Sequence, residues 1–389
     1  MTLKDLYYIT HIDNIPSILK SGILSHEEVE KRHIQYTPIY DKKIVKNRRN
    51  ITAPNGKNLW SFANLYFQPR NPMLYRLICE KLVDEIVILA LQKSEILNRD
   101  DIFISNGNAA SSNSDILPAT EGKETIYKMR KVLAKEWWTE ESGGKRKIMA
   151  ECLVQESISS DYIQTIYVAN HAIVKKVKKI LLTSNIPVIP EPKMFFQPSR
   201  KIKITPLLSV VDGDMFFSRM QTHTISVNCV GIMGKGLASR AKWQFPDVYV
   251  YYQYACRKKI LQMGRPYLYK RESSLDYRLA DEPSSLKNGN AETWFLLFPT
   301  KNHWREDADI QGIEKGLQWL KDNFKKENLK SLAIPALGCG LGRLNWRDVG
   351  PLLCKYLYDF DIPAMIYLPA EKKITDETLS KEFLLSRRD

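Results

Sequence analysis

Lys147-Ile-Met-Ala-Glu-Cys-Leu-Val154 reads as a short β-strand with one carboxylate, Glu151, in its middle. Side chains alternate across a strand. Ile148, Ala150, Cys152 and Val154 then share one face, and Met149, Glu151 and Leu153 the other. Both faces are apolar enough to be partly buried. A buried carboxylate is costly, or takes up a proton, unless a basic residue, a backbone donor or a ligand hydroxyl meets it. The plainer alternative is a strand-end acid pointing at solvent.

Just upstream, Gly143-Gly144 breaks the chain after a helical stretch over residues 124–138. Trp137 and Trp138 lie close to Lys145, Arg146 and Lys147. Aromatic and basic residues together suit stacking on unpaired bases and contact with phosphates; tryptophans in the core are the competing reading. Residues 102–105 form a short strand and 106–110 a turn, and the Ser-, Asn- and Asp-rich stretch 107–122 reads as a mobile loop. Near the N-terminus, a strand over 6–10 feeds a helix with Asp13 as N-cap, Pro16 in its first turn and Gly22 as its stop. His11 stands at that junction, where α/β folds place ligands, though it could equally cap or pack. Residues 27–59 are polar and aperiodic and hold Lys42, Lys43, Lys46, Arg48 and Arg49. They are either a solvated loop or a loop that closes over a phosphate-bearing ligand, since guanidinium groups bind such groups bidentately. A strand running into a turn at Pro69 and Pro72, a helix over 73–83, a buried strand over 85–91, a strand over 163–168 and a basic helix over 170–182 follow. Pro187, Pro190, Pro192 and Pro198 then mark a linker within 186–206.

The second half alternates strands and helices. Gly231-Ile-Met-Gly-Lys-Gly236 follows a strand over 222–228 and opens a helix. Such a turn exposes backbone N–H groups and suits a pyrophosphate, although it is neither of the standard phosphate motifs. A core strand over 294–298 ends at Pro299-Thr-Lys301, and a strand over 332–335 ends in Gly338-Cys-Gly-Leu-Gly342, a second glycine loop. Residues 247–290 hold a helix and a polar insertion. This half is expected to be an α/β/α layered fold with a nucleotide-like site at one edge.

The chain has 389 residues, which favours two domains. The hydrophobic share is 44% and the charged share 26%, as in soluble globular proteins. No apolar run is long enough to span a bilayer, and Met1-Thr-Leu-Lys-Asp-Leu6 has no signal-peptide apolar region. Six cysteines without metal spacing imply a reduced, cytoplasmic protein with no structural metal. The net charge is +14, and residues 1–200 and 201–389 each carry 29 basic and 22 acidic residues. A polyanionic partner suits both halves equally.

Residues 1 to about 200 resemble the DarT family of DNA-modifying ADP-ribosyltransferase toxins. The matching blocks are Tyr8-Ile-Thr-His-Ile-Asp-Asn14, Phe67-Gln-Pro-Arg-Asn-Pro-Met-Leu-Tyr75, Asn106-Gly-Asn-Ala-Ala110 and Ala150-Glu-Cys-Leu-Val154. Residues from about 205 to 370 resemble the macrodomain of DarG, the antitoxin partner. Here the blocks are Asp212-Gly-Asp214, Val227-Asn228, 231–236, Pro299-Thr-Lys-Asn-His-Trp-Arg305 and Pro335-Ala-Leu-Gly-Cys-Gly-Leu-Gly342. The resemblance implies an α+β ADP-ribosyltransferase-like domain over 1–198, a linker over 199–206, an α/β/α three-layer macrodomain over 207–371 and a C-terminal tail over 372–389.

It further implies transfer of ADP-ribose from NAD to a base, usually thymine, in single-stranded DNA, and hydrolysis of the ADP-ribosylated DNA by the macrodomain. Glu151 matches the catalytic glutamate, and an arginine of the Arg48-Arg49 pair, Arg48 preferred, matches the catalytic arginine. Thr10, His11, Asp13 and Asn14 would hold NAD, with Tyr75 stacking on nicotinamide. Trp137, Trp138, Lys145, Arg146 and Lys147 are the DNA-contact candidates. In the macrodomain Lys301 takes the place of the lysine nucleophile of the branch related to the human terminal ADP-ribose glycohydrolase. Asp214 would bind adenine, and Asn228, Gly234, Gly236, Gly338, Cys339, Gly340, Leu341 and Gly342 would line the rest of the ADP-ribose site. The human branch has an aspartate where this chain has Gly342. No metal, no membrane partner and a monomer with both activities in one chain are expected. DarG normally carries a further C-terminal domain that binds DarT. About 19 residues after the last strand are too few for such a core, so control by erasing the mark is expected. The alternatives are a protein-directed transferase whose macrodomain only reads ADP-ribose, and a nucleic-acid-binding adaptor with decayed folds.

Overall fold

Two sheets organise the chain, and each belongs to its own unit. The computed structural model describes residues 5–40, 46–182 and 184–386. The first unit runs to Phe196 and also takes in Asp276–Gly289; the second comprises Gln197–Leu275 and the chain from Asn290 onward.

The strands of the first unit are β1 (Leu6–His11), β2 (Ile23–Leu24), β3 (Phe62–Tyr66), β4 (Ile86–Leu91), β5 (Ile102–Ser105), β6 (Ile116–Pro118), β7 (Glu151–Gln155), β8 (Ser157–Ile158), β9 (Ile163–Val168) and β10 (Val188–Pro190). Eight of them make one sheet in the order β10-β9-β4-β1-β3-β7-β5-β6, while β2 and β8 pair separately. All neighbours in the large sheet are antiparallel except β9 and β10. The Ile-Val-Ile-Leu-Ala-Leu sequence of β4 is buried throughout, as a strand with neighbours on both edges and cover on both faces must be. Glu151 opens β7 and stands opposite Tyr66 of β3.

The 147–154 reading is corrected at its start. Gly144–Lys147 is a one-turn helix, and helical backbone bonds run on from it, from Met149 N to Arg146 O and from Ala150 N to Lys147 O. Gly143 enters that turn with φ +67°, a conformation glycine adopts without strain. Strict alternation therefore begins only at Glu151. Asp13 is not the N-cap either. A 3₁₀ turn, Ile12–Asn14, precedes the helix Ile15–Ser21, and His11 Nδ1 accepts from Asp13 N at 3.1 Å. The stretch expected as a mobile loop supplies β6 and the start of the helix Ala119–Leu133. Part of the polar stretch after residue 27 lies in a helix, His26–Lys31, capped by Ser25. Lys42 and Lys43 lie outside the described residues.

The second unit holds β11 (Arg200–Lys203), β12 (Leu208–Asp212), β13 (Thr222–Asn228), β14 (Tyr267–Tyr269), β15 (Trp294–Lys301), β16 (Leu332–Pro335) and β17 (Ala364–Tyr367), in the order β11-β12-β17-β16-β13-β15-β14. The five central strands run parallel and the two edge strands antiparallel. With the helices Gly236–Gln244, Pro246–Arg257, Ile310–Asn323 and Trp346–Leu357 this is the α/β/α fold expected.

The stretch read as a linker instead supplies edge strand β11, whose Arg200, Lys201 and Lys203 are exposed and whose Ile202 alone turns inward. Charge on an edge strand disguises it in sequence and protects it from further pairing. The tail also folds: Leu379 and Leu384 are buried, and Trp346 Nε1 donates to Thr378 O at 3.0 Å. Nor is the second unit continuous over 207–371, because Asp276–Gly289 belongs to the first.

Candidate functional site

In the first unit the Glu151 carboxylate is 1% exposed and both its oxygens are engaged. Oε1 accepts from Ala109 N at 2.9 Å and Oε2 from Arg48 Nη1 at 3.1 Å. Its own backbone N donates to Ser105 Oγ at 3.0 Å, which ties the start of β7 to the end of β5. The buried acid is thus met by a cation and a backbone donor together, the arrangement that makes a buried charge tolerable. Arg48 lines a cleft that Thr10, Asn14, His26 and Tyr66 also line. Its guanidinium is buried, and Nη2 has no hydrogen-bond partner among the described residues. An unpaired buried donor is costly, and a ligand oxygen in the cleft would satisfy it. Arg49 points the other way, pairs with Glu30 at 2.6 Å and stacks on Trp60.

The expected donor-binding residues separate. Asn14 pins the cleft wall: its Nδ2 donates to Thr37 O and Thr10 Oγ1, and its Oδ1 accepts from Thr37 N. His11 is buried between Asp13 N and Glu85, 3.1 Å from each, and is not among the cleft-lining residues. Asp13 is exposed. Tyr75 does not offer a stacking face: it is 1% exposed, sits edge-on to Trp138 and Phe196, and donates to Asp276 Oδ1 at 2.7 Å.

Trp138 is likewise in the core, its indole N–H on Leu279 O, and presents no exposed ring face to a DNA strand. Trp137 is partly exposed, with Lys135 over its ring. Arg146 holds the 106–114 loop through Asn106 and Ser114. Lys145 and Lys147 are half-buried, and burial lowers the Lys145 pKa. Tyr66, His26 and Asp281, all lining the cleft, were not singled out from sequence. Tyr66 lies inside a strand expected from the sequence, directly across from Glu151, and pairing would have found it. Burial raises its pKa further than the Glu151 charge does.

In the second unit the ends of β13 and β15 lie side by side, with Asn228 in register with Lys301. Lys301 Nζ donates to Glu306 O at 2.5 Å. Asn228 organises the first glycine loop: Oδ1 accepts from Val230 N and Ile232 N, Nδ2 donates to Ile232 O, and the Tyr252 hydroxyl lies within hydrogen-bonding distance. The two glycine loops meet, since a Cβ on Gly236 would lie 3.2 Å from Leu341 Cδ1, whereas Gly234 has room around it. Gly338 turns at φ +75°. Cys339 is buried, which pushes its thiol up to about 12. The Glu371 carboxylate approaches Gly236 and Gly340; it went unnoticed because it lies beyond the last strand. Asp214 Oδ1 accepts from Phe216 N, and Oδ2 pairs with Arg240 at 2.8 Å. Among the described residues no cluster of three or more His, Cys, Asp or Glu could hold a metal, and no helix is long and apolar enough to cross a membrane.

The family model for the ssDNA thymidine ADP-ribosyltransferase DarT matches residues 7–196, and the Macro domain model matches residues 291–353. A DNA ADP-ribosyl transferase–DNA ADP-ribosyl glycohydrolase fusion protein of Thermosipho africanus is 56% identical over 382 residues, which is 98% of each chain. A DNA ADP-ribosyl glycohydrolase of Mycobacterium tuberculosis is 31% identical over 165 residues, 42% of this chain and 43% of that one. The solved structure of Thermosipho africanus DarTG in complex with ADP-ribose superposes with a TM-score of 0.92 at 55% identity, covering 98% of this chain and all of that one.

Proposed function

The chain belongs to the family of DarT–DarG fusion proteins, and from that premise we propose that its first unit transfers ADP-ribose from NAD to a thymine base of single-stranded DNA while its second unit removes the mark. The observation that carries the reading is the buried Glu151–Arg48 pair on the cleft, with Arg48 Nη2 without a hydrogen-bond partner among the described residues.

In this reading NAD lies in the cleft beside Thr10, Asn14 and Arg48. Arg48 neutralises donor oxygens. Glu151 holds the ribose 2′-hydroxyl and stabilises positive charge at the anomeric carbon as the bond to nicotinamide breaks. The base nitrogen forms the new bond, and its proton leaves to Glu151 or water. Because Ala109 N and Arg48 fix both carboxylate oxygens, Glu151 is oriented before substrate arrives. Trp137, Lys145 and Lys147 remain the residues proposed to meet the DNA strand. In the second unit the Lys301 amine attacks the same anomeric carbon of the DNA-linked ribose, releases the base, and passes the ADP-ribose to water. Asp214, Asn228 and the two glycine loops are proposed to cradle the ADP-ribose.

Mass spectrometry of a mixed-sequence single-stranded oligonucleotide after incubation with NAD tests both roles. Glu151→Ala is expected to yield no modified base. Lys301→Ala is expected to accumulate it, at positions that read out the base and its context. A Lys301→Ala chain that still cleared modified DNA would remove Lys301 from the mechanism, and labelling of protein in place of DNA would redirect the transferase.

A further inference from the structure

Asp276–Gly289 interrupts the second unit in sequence but folds as part of the first. It is tied there by buried groups. Tyr75 and Asp276 are each 1% exposed and bonded at 2.7 Å. Leu279 and Ala280 are buried, and Leu279 O accepts from Trp138 Nε1 at 3.2 Å. Asp281 N donates to Pro72 O, and Glu80 accepts from Lys287 N and Asn288 Nδ2. The central tie is an ion pair: Arg76 Nε to Asp281 Oδ1 at 2.9 Å, with side-chain exposures of 7% and 5%. Both residues line the Arg48 cleft. Arg76 also reaches Ile39 O at 3.5 Å, in the stretch that Asn14 anchors through Thr37. One side chain thus joins two walls of the cleft, and a carboxylate encoded some 200 residues later in the chain holds it there.

We propose that Asp276–Gly289 is a working part of the transferase cleft and that Asp281 positions Arg76 in its wall. Removing one partner of a buried pair leaves the other charge uncompensated. Without Asp281, Arg76 turns toward solvent or toward the donor, and the 34–40 wall loses its tie. It follows that the transferase becomes competent only in a chain synthesised through Gly289, after 79 of the 179 residues of the second unit have been made.

The inference rests on the transferase reading, so the test is nicotinamide release by the full-length protein with NAD and single-stranded oligonucleotide. Hydrolysis of an oligonucleotide premodified with the Lys301→Ala variant serves as the control for the second unit. Asp281→Ala is expected to raise KM for NAD at least ~10-fold with little change in kcat. Asp281→Asn falls between, because its amide oxygen still accepts from Arg76 Nε. Replacing 276–289 by a Gly/Ser linker of equal length is expected to abolish nicotinamide release and spare hydrolysis. If Asp281→Ala lowers only the melting temperature and leaves KM unchanged, the segment is a strap and the proposal is overturned; an active linker variant overturns it as well. If the wild-type chain releases no nicotinamide, the transferase reading itself fails.

Discussion

His26 lines the cleft, stacked on Trp60 at 4.3 Å and edge-on to Tyr40. Burial, with Arg48 nearby, brings its pKa down from 6.5 to about 4. The folded protein therefore keeps the ring neutral over a range in which the unfolded chain protonates it. Stability from this group is complete above pH 6.5 and falls as pH drops toward 4, by at most ~3 kcal/mol. His26→Gln is expected to lose less stability than wild type between pH 7 and pH 4.5 in urea unfolding; an equal loss would place the acid sensitivity elsewhere. Glu151 stood out as a lone carboxylate among apolar neighbours, whereas Arg48 and Lys301 were singled out only through the resemblance to the DarT and DarG families. The fates of Tyr75 and Trp138 were not legible, since nothing local distinguishes an aromatic at a ligand from one buried against a distant segment.

The loop 338–342 carries its argument as an element. A Cβ at Gly342 would lie 2.6 Å from Gly338 O and 2.8 Å from Ala308 Cβ. The backbone there closes too tightly for a side chain such as that of aspartate. Gly342→Asp is expected to cut hydrolysis of ADP-ribosylated oligonucleotide by an order of magnitude or more and to leave nicotinamide release intact. A gain in hydrolysis would show that the loop can reopen around an acid. Strands with continuous apolar runs, such as β4 and β15, were readable from residue type alone. The one-turn helix Gly144–Lys147 and the edge strand β11 were not, because charged residues there obey neither period.

At the scale of the molecule, the +14 charge is shared evenly between the halves. Contacts to DNA phosphates release counterions, so kcat/KM for the oligonucleotide, measured at saturating NAD, is expected to fall linearly with salt on logarithmic axes. The value for NAD is expected to change far less. Equal slopes would assign the excess charge to solubility.

The sequence by itself determined that an α+β unit precedes an α/β/α unit and that the second carries two glycine loops, because each rests on local patterning or on a short motif; the candidate roles of Glu151, Arg48 and Lys301 came with the family resemblance. Only the tertiary structure decided which donors meet Glu151, which arginine of the pair turns inward, and that Asp276–Gly289 serves the first unit. Those outcomes depend on contacts between residues as many as 208 positions apart. Burial and ion pairing at such range are set by how the chain packs, and leave no period or spacing in the sequence to read.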